Sequence, residues 1–525
     1  MGTYINLGNE GFKSILNGEY VDKSGLIRVI NATLNSESRY SCVTRCRRFG
    51  KTMAAKMLCA YYDHSCDSHE LFANLEIAND PSFEKHLNKY PVIYLDMTKF
   101  TTEGTPKEEL VATIKSELMA EMKAVYSDVP LDGKDKLLDV LYTISTAKKE
   151  KFIMIIDEWD AICRELLGDN DAMKEYVNLL RNLFKGMLPD MVFAGVYMTG
   201  ILPIKKYNTQ SALNNFWQYT MIQPMRLDKY FGFTKEEVHQ LCLKHNMDFD
   251  EMVKWYDGYK IGNEPSMFNP SSVVKALACG ECDSFWATTG AFDAVADYIK
   301  MNYEGLKDDI IFMLGGGKCP VDTTGFENDM AEVKNKDDVF TVLIHLGYLS
   351  YDKNERKCYI PNREVAGEMV NAVKRNNWKE VSNSIENSKK LLEATLNGDE
   401  QAVAAGIDAA HDDNTSILSY NDENSLSCVI NLAYYYARND YILFRELPTG
   451  KGFADIVMLP RKNVDQPALV VELKYDKDAD TAINQIHRKH YPDKVAEYTG
   501  DILLVAINYD KQTKTHSCKI EKWKK

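Results

Sequence analysis

Five short apolar runs punctuate residues 40–222: Tyr40–Thr44, Val92–Leu95, Phe152–Ile156, Val192–Tyr197 and Tyr219–Ile222. Longer stretches lie between most of them, and Thr52–Tyr62, Lys107–Met122 and Ala172–Phe184 carry apolar residues at helical spacing. A short uninterrupted apolar run suits a strand covered on both faces, and parallel neighbours need a crossover between them, usually a helix. The alternation therefore predicts an α/β domain over 1–225, a parallel sheet with helices on both faces.

At 525 residues the chain exceeds what one hydrophobic core supports, so further domains are expected. From 226 to 385 the pattern is mostly helical, with Thr234 placed to cap a helix whose first turn holds Glu236 and Glu237. Val339–Leu346 reads as a helix, followed by a hairpin of Tyr348–Tyr351 and Lys357–Ile360 around Lys353-Asn354, which suits a helical lid with a winged-helix-like piece. A third region, 386–525, opens with a helical pair split by Asn397-Gly398-Asp399 and a helix over Glu423–Ala437. Strands follow at Tyr441–Glu446, Ala454–Leu459, Ala468–Lys474 and Ile502–Ile507, with a helix over Thr481–His490.

The formal charge of −14 argues against the whole surface being a platform for nucleic acid. From Tyr441 onward, however, 15 Lys/Arg face 12 Asp/Glu, so the C-terminal region is the part suited to a polyanion. No apolar run approaches the ~18 residues of a membrane span, and the N-terminus lacks a signal-peptide pattern. The 12 cysteines are scattered. Cys279 and Cys282 form a lone CxxC without the further pair that a structural zinc site needs. A cytoplasmic protein without membrane contact is expected, its oligomeric state left open.

Two motifs within the first domain carry chemistry. In Thr44-Arg45-Cys46-Arg47-Arg48-Phe49-Gly50-Lys51-Thr52, a strand runs into a glycine turn and then a helix. Backbone N–H groups and the positive end of that helix would face a polyphosphate, Lys51 would meet the β and γ phosphates, and the Thr52 hydroxyl would hold Mg²⁺. The first glycine of the usual GxxxxGK[ST] pattern is Arg45 here, and GKT alone is equally an ordinary basic turn. The second motif raises the specificity. Phe152–Ile156 is a buried strand that delivers Asp157 and Glu158 to the sheet edge, Asp157 as partner to the metal and Glu158 to orient or deprotonate water. Val92–Leu95 falls between the two motif strands and is expected to be the added strand that separates them. Thr199, ending another strand, is placed to sense the γ phosphate. Arg181, on the preceding helix, is either an arginine finger or a solvated helix residue. The nucleotide-binding set is thus Arg48, Gly50, Lys51, Thr52, Asp157 and Thr199.

A second constellation lies near the C-terminus: Glu446, Gly452-Phe453-Ala454-Asp455, and Glu472-Leu473-Lys474. Residues two apart on a strand share a face, so Glu472 and Lys474 project together, with Asp455 expected on the neighbouring strand. Asp455 and Glu472 would hold Mg²⁺, and Lys474 would position water and offset charge during phosphodiester hydrolysis. Gln485, His487, Arg488, Lys489, His490 and Tyr491 supply candidates for backbone-phosphate contact. The alternative is an edge strand with cross-strand ion pairs on a polar face.

Taken together the motifs resemble the bacterial AAA-ATPase-like family that carries a C-terminal PD-(D/E)XK nuclease-superfamily domain. The matching residues are Tyr20-Val21-Asp22-Lys23-Ser24, Arg47–Thr52, Ile156-Asp157-Glu158-Trp159-Asp160, Tyr197–Ile204, Trp255-Tyr256-Asp257-Gly258-Tyr259, Arg445–Pro448, Gly452–Asp455, Glu472–Lys474 and Gln485. Cys46 departs from the pattern, which usually has Pro there, whereas Arg45 belongs to it. The resemblance implies a P-loop NTPase core, a helical or winged-helix-like middle region, and a C-terminal α/β restriction-endonuclease-like domain. It also implies ATP and Mg²⁺ as cofactors, with DNA or RNA as partner of the last domain. The competing reading is a nucleotide-controlled switch whose nuclease-like domain recognises nucleic acid or protein without cutting. An interaction scaffold with a degenerate ATP site is disfavoured by the presence of Lys51, Thr52, Asp157 and Glu158.

Overall fold

The structure, a computed structural model, describes residues 2–102, 106–165, 170–204, 213–286, 298, 300–301, 303–326, 333–375, 379–412, 429–448, 453–460, 464–475, 479–488, 495 and 501–523. The chain divides into two compact units, one of Met1–Thr288 with Pro320–Val365, the other of Thr289–Cys319 with Ala366–Lys525.

The first unit is built on strands β1 (Tyr40–Thr44), β2 (Val92–Asp96), β3 (Phe152–Asp157), β4 (Phe193–Gly200) and β5 (Trp217–Tyr219). They form one sheet in the order β2-β3-β4-β1-β5, every pair parallel. Alternate residues of β3 serve opposite faces. Ile153 and Ile155 pack with Ala54, Ala55 and Leu58 of helix α1 (Lys51–Tyr62). Met154 and Ile156 pack with Leu141, Ile144, Leu180 and Phe184, the last two on helix α3 (Asn170–Phe184). Between β3 and α3 lies a short helix, α2 (Ala161–Glu165).

Two sequence expectations change here. The strand that separates β1 from β3 is β4, whereas Val92–Asp96 takes the sheet edge beyond β3. Strand order in a sheet follows from how crossovers pack, which sequence order does not record. The fifth strand is Trp217–Tyr219 instead of Tyr219–Ile222. Thr220 N–H donates to Gln223 O, and Thr220 Oγ1 accepts from Gln223 N–H, so a turn claims the end of the apolar run.

The middle of the chain adds small elements to the same unit. Thr234 caps helix Lys235–His245 through a reciprocal pair: its Oγ1 accepts from Glu237 N–H (3.3 Å), and its own N–H donates to Glu237 Oε2 (2.7 Å). Helix Lys336–Leu346 precedes an antiparallel hairpin of Ser350–Asp352 and Lys357–Tyr359.

The second unit holds a mixed sheet of β6 (Tyr441–Pro448), β7 (Phe453–Pro460), β8 (Ala468–Tyr475), β9 (Ile502–Asp510) and β10 (Thr515–Trp523), in that order. Only β8 and β9 run parallel. On β8, Leu469, Val471 and Leu473 face a core shared with Leu391, Val403 and Ile407 of the helical pair Lys379–Leu396 and Glu400–Asp412. Ala468 and Val470 face Ala482, Ile483 and Ile486 of helix α4 (Ala479–Arg488). The expected helix over 423–437 is described only from residue 429, the earlier part lying outside the described residues. Strand β10 was not anticipated. Its residues Thr515–Trp523 alternate polar and charged with few aliphatics, because the strand is only partly buried at the sheet edge. Among the described residues no helix is long and apolar enough to cross a membrane.

Candidate functional sites

β1 ends at Thr44 and the chain turns through Gly50, whose φ of 85° is the left-handed conformation that glycine adopts without steric cost. The turn leads directly into α1, so the first turn of that helix, with its unpaired N–H groups, opens on the loop. Lys51 is buried there. Its Nζ donates to Cys46 O (3.2 Å) and lies 3.3 Å from Glu158 Oε1. Asp157, fully buried at the end of β3, is hydrogen-bonded by Thr52 and by Tyr94 Oη (3.2 Å). Burial, reinforced by the charge of Glu158, raises its carboxyl to about 6 against the opposing effects of Thr52 and Lys51. Glu158 responds the other way. Burial pushes its carboxyl up, but Lys51 and Arg164 together hold it below the ordinary value.

Thr199 sits opposite Val43 of β1, fully buried, and its Oγ1 has no hydrogen-bond partner among the described residues. Gly200 follows, and a Cβ there would meet Asp160 Oδ1 at 2.4 Å and the Trp159 ring at 2.6 Å, so only glycine lets these strand ends close. The Arg48 guanidinium donates to Phe285 O, near the buried Glu364 carboxylate, while the residue also lines the cavity beside the loop. Arg181 is exposed on α3. Cys279 is exposed, and Cys282 contacts Met252 Sδ at 3.6 Å.

Three features were not legible as parts of this site. Arg45, where a glycine usually begins the loop, is fully buried and donates to the carbonyls of Thr44 (2.9 Å), Tyr219 (2.8 Å) and Leu227 (3.1 Å). Its guanidinium also lies 5.2 Å from the Phe231 ring centre, and burial lowers its pKa to about 10. Arg45 therefore braces the loop from behind. Arg164 donates to Glu158 Oε2 at 2.8 Å, and the only hint of it in sequence is its i, i+4 spacing from Asp160. Third, a cavity of about 430 Å³ adjoins the loop, lined by Tyr20, Val21, Lys23, Phe49, Met57 and Phe233 as well as Gly50, Lys51, Thr52 and Glu158. The segment Tyr20–Ser24 thus serves as a wall of this cavity, where Lys23 Nζ is held by Glu237 (2.6 and 2.7 Å). Phe49 packs edge-on against Tyr259, ring centres 5.1 Å apart, so the Trp255–Tyr259 motif supports the loop as well.

In the second unit Glu472 and Lys474 lie on the α4 face of β8, both buried. Lys474 Nζ donates to Glu472 Oε1 (2.8 Å) and to Leu473 O (3.0 Å), and Gln485 Nε2 of α4 donates to the same Glu472 oxygen. Asp455 lies on β7, one residue beyond the Ile456–Val471 pair, and its Oδ2 accepts from Leu473 N–H at 2.7 Å. The structure thus gathers Asp455, Glu472, Lys474 and Gln485 at adjoining points of two strands and one helix. The edge-strand alternative does not hold, since β8 is the middle strand of five and its ion pair is buried. Glu446 falls on β6, and His487 and Arg488 end α4. Gly452, Lys489, His490 and Tyr491 lie outside the described residues. Among the described residues no group of three or more His, Cys, Asp or Glu is arranged to hold a metal.

An all-parallel sheet whose first strand enters a Gly-Lys-Thr turn, with an Asp-Glu pair closing a second strand, defines a P-loop nucleotide-binding core. The mixed sheet of the second unit, with its Asp, Glu and Lys, is that of a nuclease-like domain. Residues 6–209 match the AAA-ATPase-like family, described as "Predicted AAA-ATPase", and residues 422–519 match the PD-(D/E)XK nuclease superfamily. The chain joins a domain of the first kind to a domain of the second. Two solved structures are similar at low identity. The Aeropyrum pernix ORC2 protein, in ADPNP-ADP complexes, is 12% identical over 70% of this chain and 98% of that one, with a TM-score of 0.33. C. elegans PCH-2 is 13% identical over 69% and 72%, with a TM-score of 0.22. No curated protein matches the chain.

Proposed function

We propose that the first unit binds and hydrolyses ATP and that the C-terminal domain is a Mg²⁺-dependent nuclease acting on nucleic acid. The observation that carries the ATPase reading is the convergence of Lys51, Thr52, Asp157 and Glu158 at one end of β1 and β3, beside a cavity roomy enough for a nucleoside. Lys51 exchanges Cys46 O and Glu158 for phosphate oxygens, a charge-assisted contact at a helix N-terminus. Thr52 and Asp157 offer adjacent hard oxygen ligands, which suits Mg²⁺. That ion, when bound, offsets phosphate charge and orients the terminal phosphoryl group. Glu158, released from Lys51, accepts the proton of the attacking water. The unpartnered Thr199 hydroxyl is available to the γ phosphate or that water.

In the C-terminal domain, Asp455 and Glu472 are the residues that would hold the metal, and Lys474 the cation beside it. The second reading, recognition without cleavage, is favoured by one observation: Asp455 and one oxygen of Glu472 are engaged by Leu473, Lys474 and Gln485 through hydrogen bonds within the domain. On the same footing we divide the chain into 1–225, 226–385 and 386–525 as functional regions, and place it in the cytoplasm, in keeping with cysteines scattered along the sequence without a framework of pairs. The deciding experiment measures ATP turnover and cleavage of DNA and RNA by one preparation of the whole chain, with and without Mg²⁺. ATP turnover with no cleavage of any polymer selects the switch reading, and no ATP binding removes the ATPase reading.

A further inference from the structure

Arg164 on α2 pairs with Glu158 without itself lining the cavity. Lys51 and Glu158 line that cavity, and Arg164 does not. The two oxygens of Glu158 are divided between cations: Oε1 lies 3.3 Å from Lys51 Nζ, and Oε2 accepts from Arg164 Nη2 at 2.8 Å. Arg164 Nε lies 3.6 Å from Asp160 Oδ2. Asp160 is itself fully buried and accepts the backbone N–H groups of Ile201 (3.1 Å) and Leu202 (3.0 Å), just beyond Thr199-Gly200 at the end of β4. One planar guanidinium thus bonds the carboxylate after β3 and lies beside Asp160, which holds the strand end that bears Thr199, a divided geometry that Lys reproduces only in part.

Resting on the ATPase reading, we propose that Arg164 is a positioning residue for hydrolysis. When phosphate draws Lys51 away, Glu158 keeps its hydrogen bond from Arg164, which fixes the carboxylate where the attacking water is held. Glu158 has a backbone φ of 51°, an uncommon conformation for a residue other than glycine, at the turn that leaves β3. Because Arg164 does not line the cavity, it acts through Glu158 and not on the nucleotide.

The test is a double-variant cycle in the full chain, reading steady-state ATP turnover at saturating Mg-ATP, affinity for a non-hydrolysable ATP analogue by calorimetry, and thermal melting. Arg164→Ala should lower kcat by about tenfold to a hundredfold, the scale of a misplaced catalytic group, while analogue affinity changes by less than about threefold. Arg164→Lys should recover part of the loss. In a Glu158→Gln background, Arg164→Ala should slow turnover no further, because its route of action is already gone. If Arg164→Ala melts early, Arg164→Gln, which keeps volume and donors without charge, takes its place in the cycle. Unchanged kcat, an equal further drop on the Glu158→Gln background, or an affinity loss that matches the kcat loss would each overturn the assignment alone. A wild type that neither binds nor turns over ATP would overturn the ATPase reading and this assignment together.

Discussion

Lys51 on α1 and Glu158 after β3 face each other across 3.3 Å, so the cation expected to meet phosphate rests on the carboxylate expected to meet water. On the proposed reading, each holds the other out of use until a nucleotide intervenes. Lys51→Ala removes the cation from the phosphate site. Loss of a charge-assisted contact costs roughly 1.5–3 kcal/mol, so ATP should bind about tenfold to a hundredfold more weakly in a calorimetric titration. Unchanged affinity in a folded variant would remove Lys51 from the site.

Glu158→Gln preserves the shape of the side chain and its hydrogen bond from Arg164, but the amide is no proton acceptor. ATP should still bind, and turnover should fall by about 10²–10⁴-fold, the usual contribution of a positioned base. A variant with normal turnover would make Glu158 structural.

Arg45→Gly restores the glycine with which such loops usually begin, and yet it should harm the protein. It strips donors from the carbonyls of Thr44, Tyr219 and Leu227 and leaves a cavity against Phe231. A penalty of about 3–5 kcal/mol is expected from chemical denaturation of the full chain. Stability equal to wild type would mean that the buried guanidinium is dispensable.

Glu364 is buried and accepts from Ser272 Oγ (2.8 Å) and Phe285 N–H (2.7 Å), and burial raises its carboxyl to about 7 from an ordinary 4.5. The folded state therefore holds this proton more tightly than the unfolded chain. Its contribution to stability is present below about pH 4.5, declines as pH rises from there to about 7, and is absent above. Glu364→Gln should stabilise at pH 8, by about 1–3 kcal/mol, and do little at pH 4, which melts at the two pH values will show. A gain that is the same at both would separate Glu364 from this titration.

In the C-terminal domain, Glu472→Gln is a cleaner probe than Glu472→Ala. Truncation would leave Lys474 buried without any acceptor from residue 472, which Gln retains, at a cost of about 3–5 kcal/mol that confounds any loss of activity. With Glu472→Gln and Asp455→Asn, Mg²⁺-dependent cleavage should disappear while ATP turnover stays within about twofold, the two sites having separate chemistry. Cleavage that survives both substitutions would remove the proposed metal ligands.

The parallel α/β core was legible because buried strands and crossover helices leave different periods in sequence. Phe152–Ile156 has the length and apolar content of a covered strand, and Gly50-Lys51-Thr52 announces its turn through residue type. The Glu472-Leu473-Lys474 alternation likewise told which side chains share a face, since that follows from strand pleat and nothing more distant. What sequence could not show depends on contacts between residues far apart in the chain. Which strand separates β1 from β3 is decided by the packing of whole crossovers. Arg45 reads as a missing glycine until Tyr219 and Leu227 are brought to its guanidinium. Arg164 carries no signal beyond its spacing from Asp160 until β3 and α2 set it against Glu158. The burial of Glu472 and Lys474 needs α4 laid over β8. Local chemistry is written in neighbouring residues, but desolvation and partnership are properties of the folded neighbourhood, and there tertiary structure alone decided.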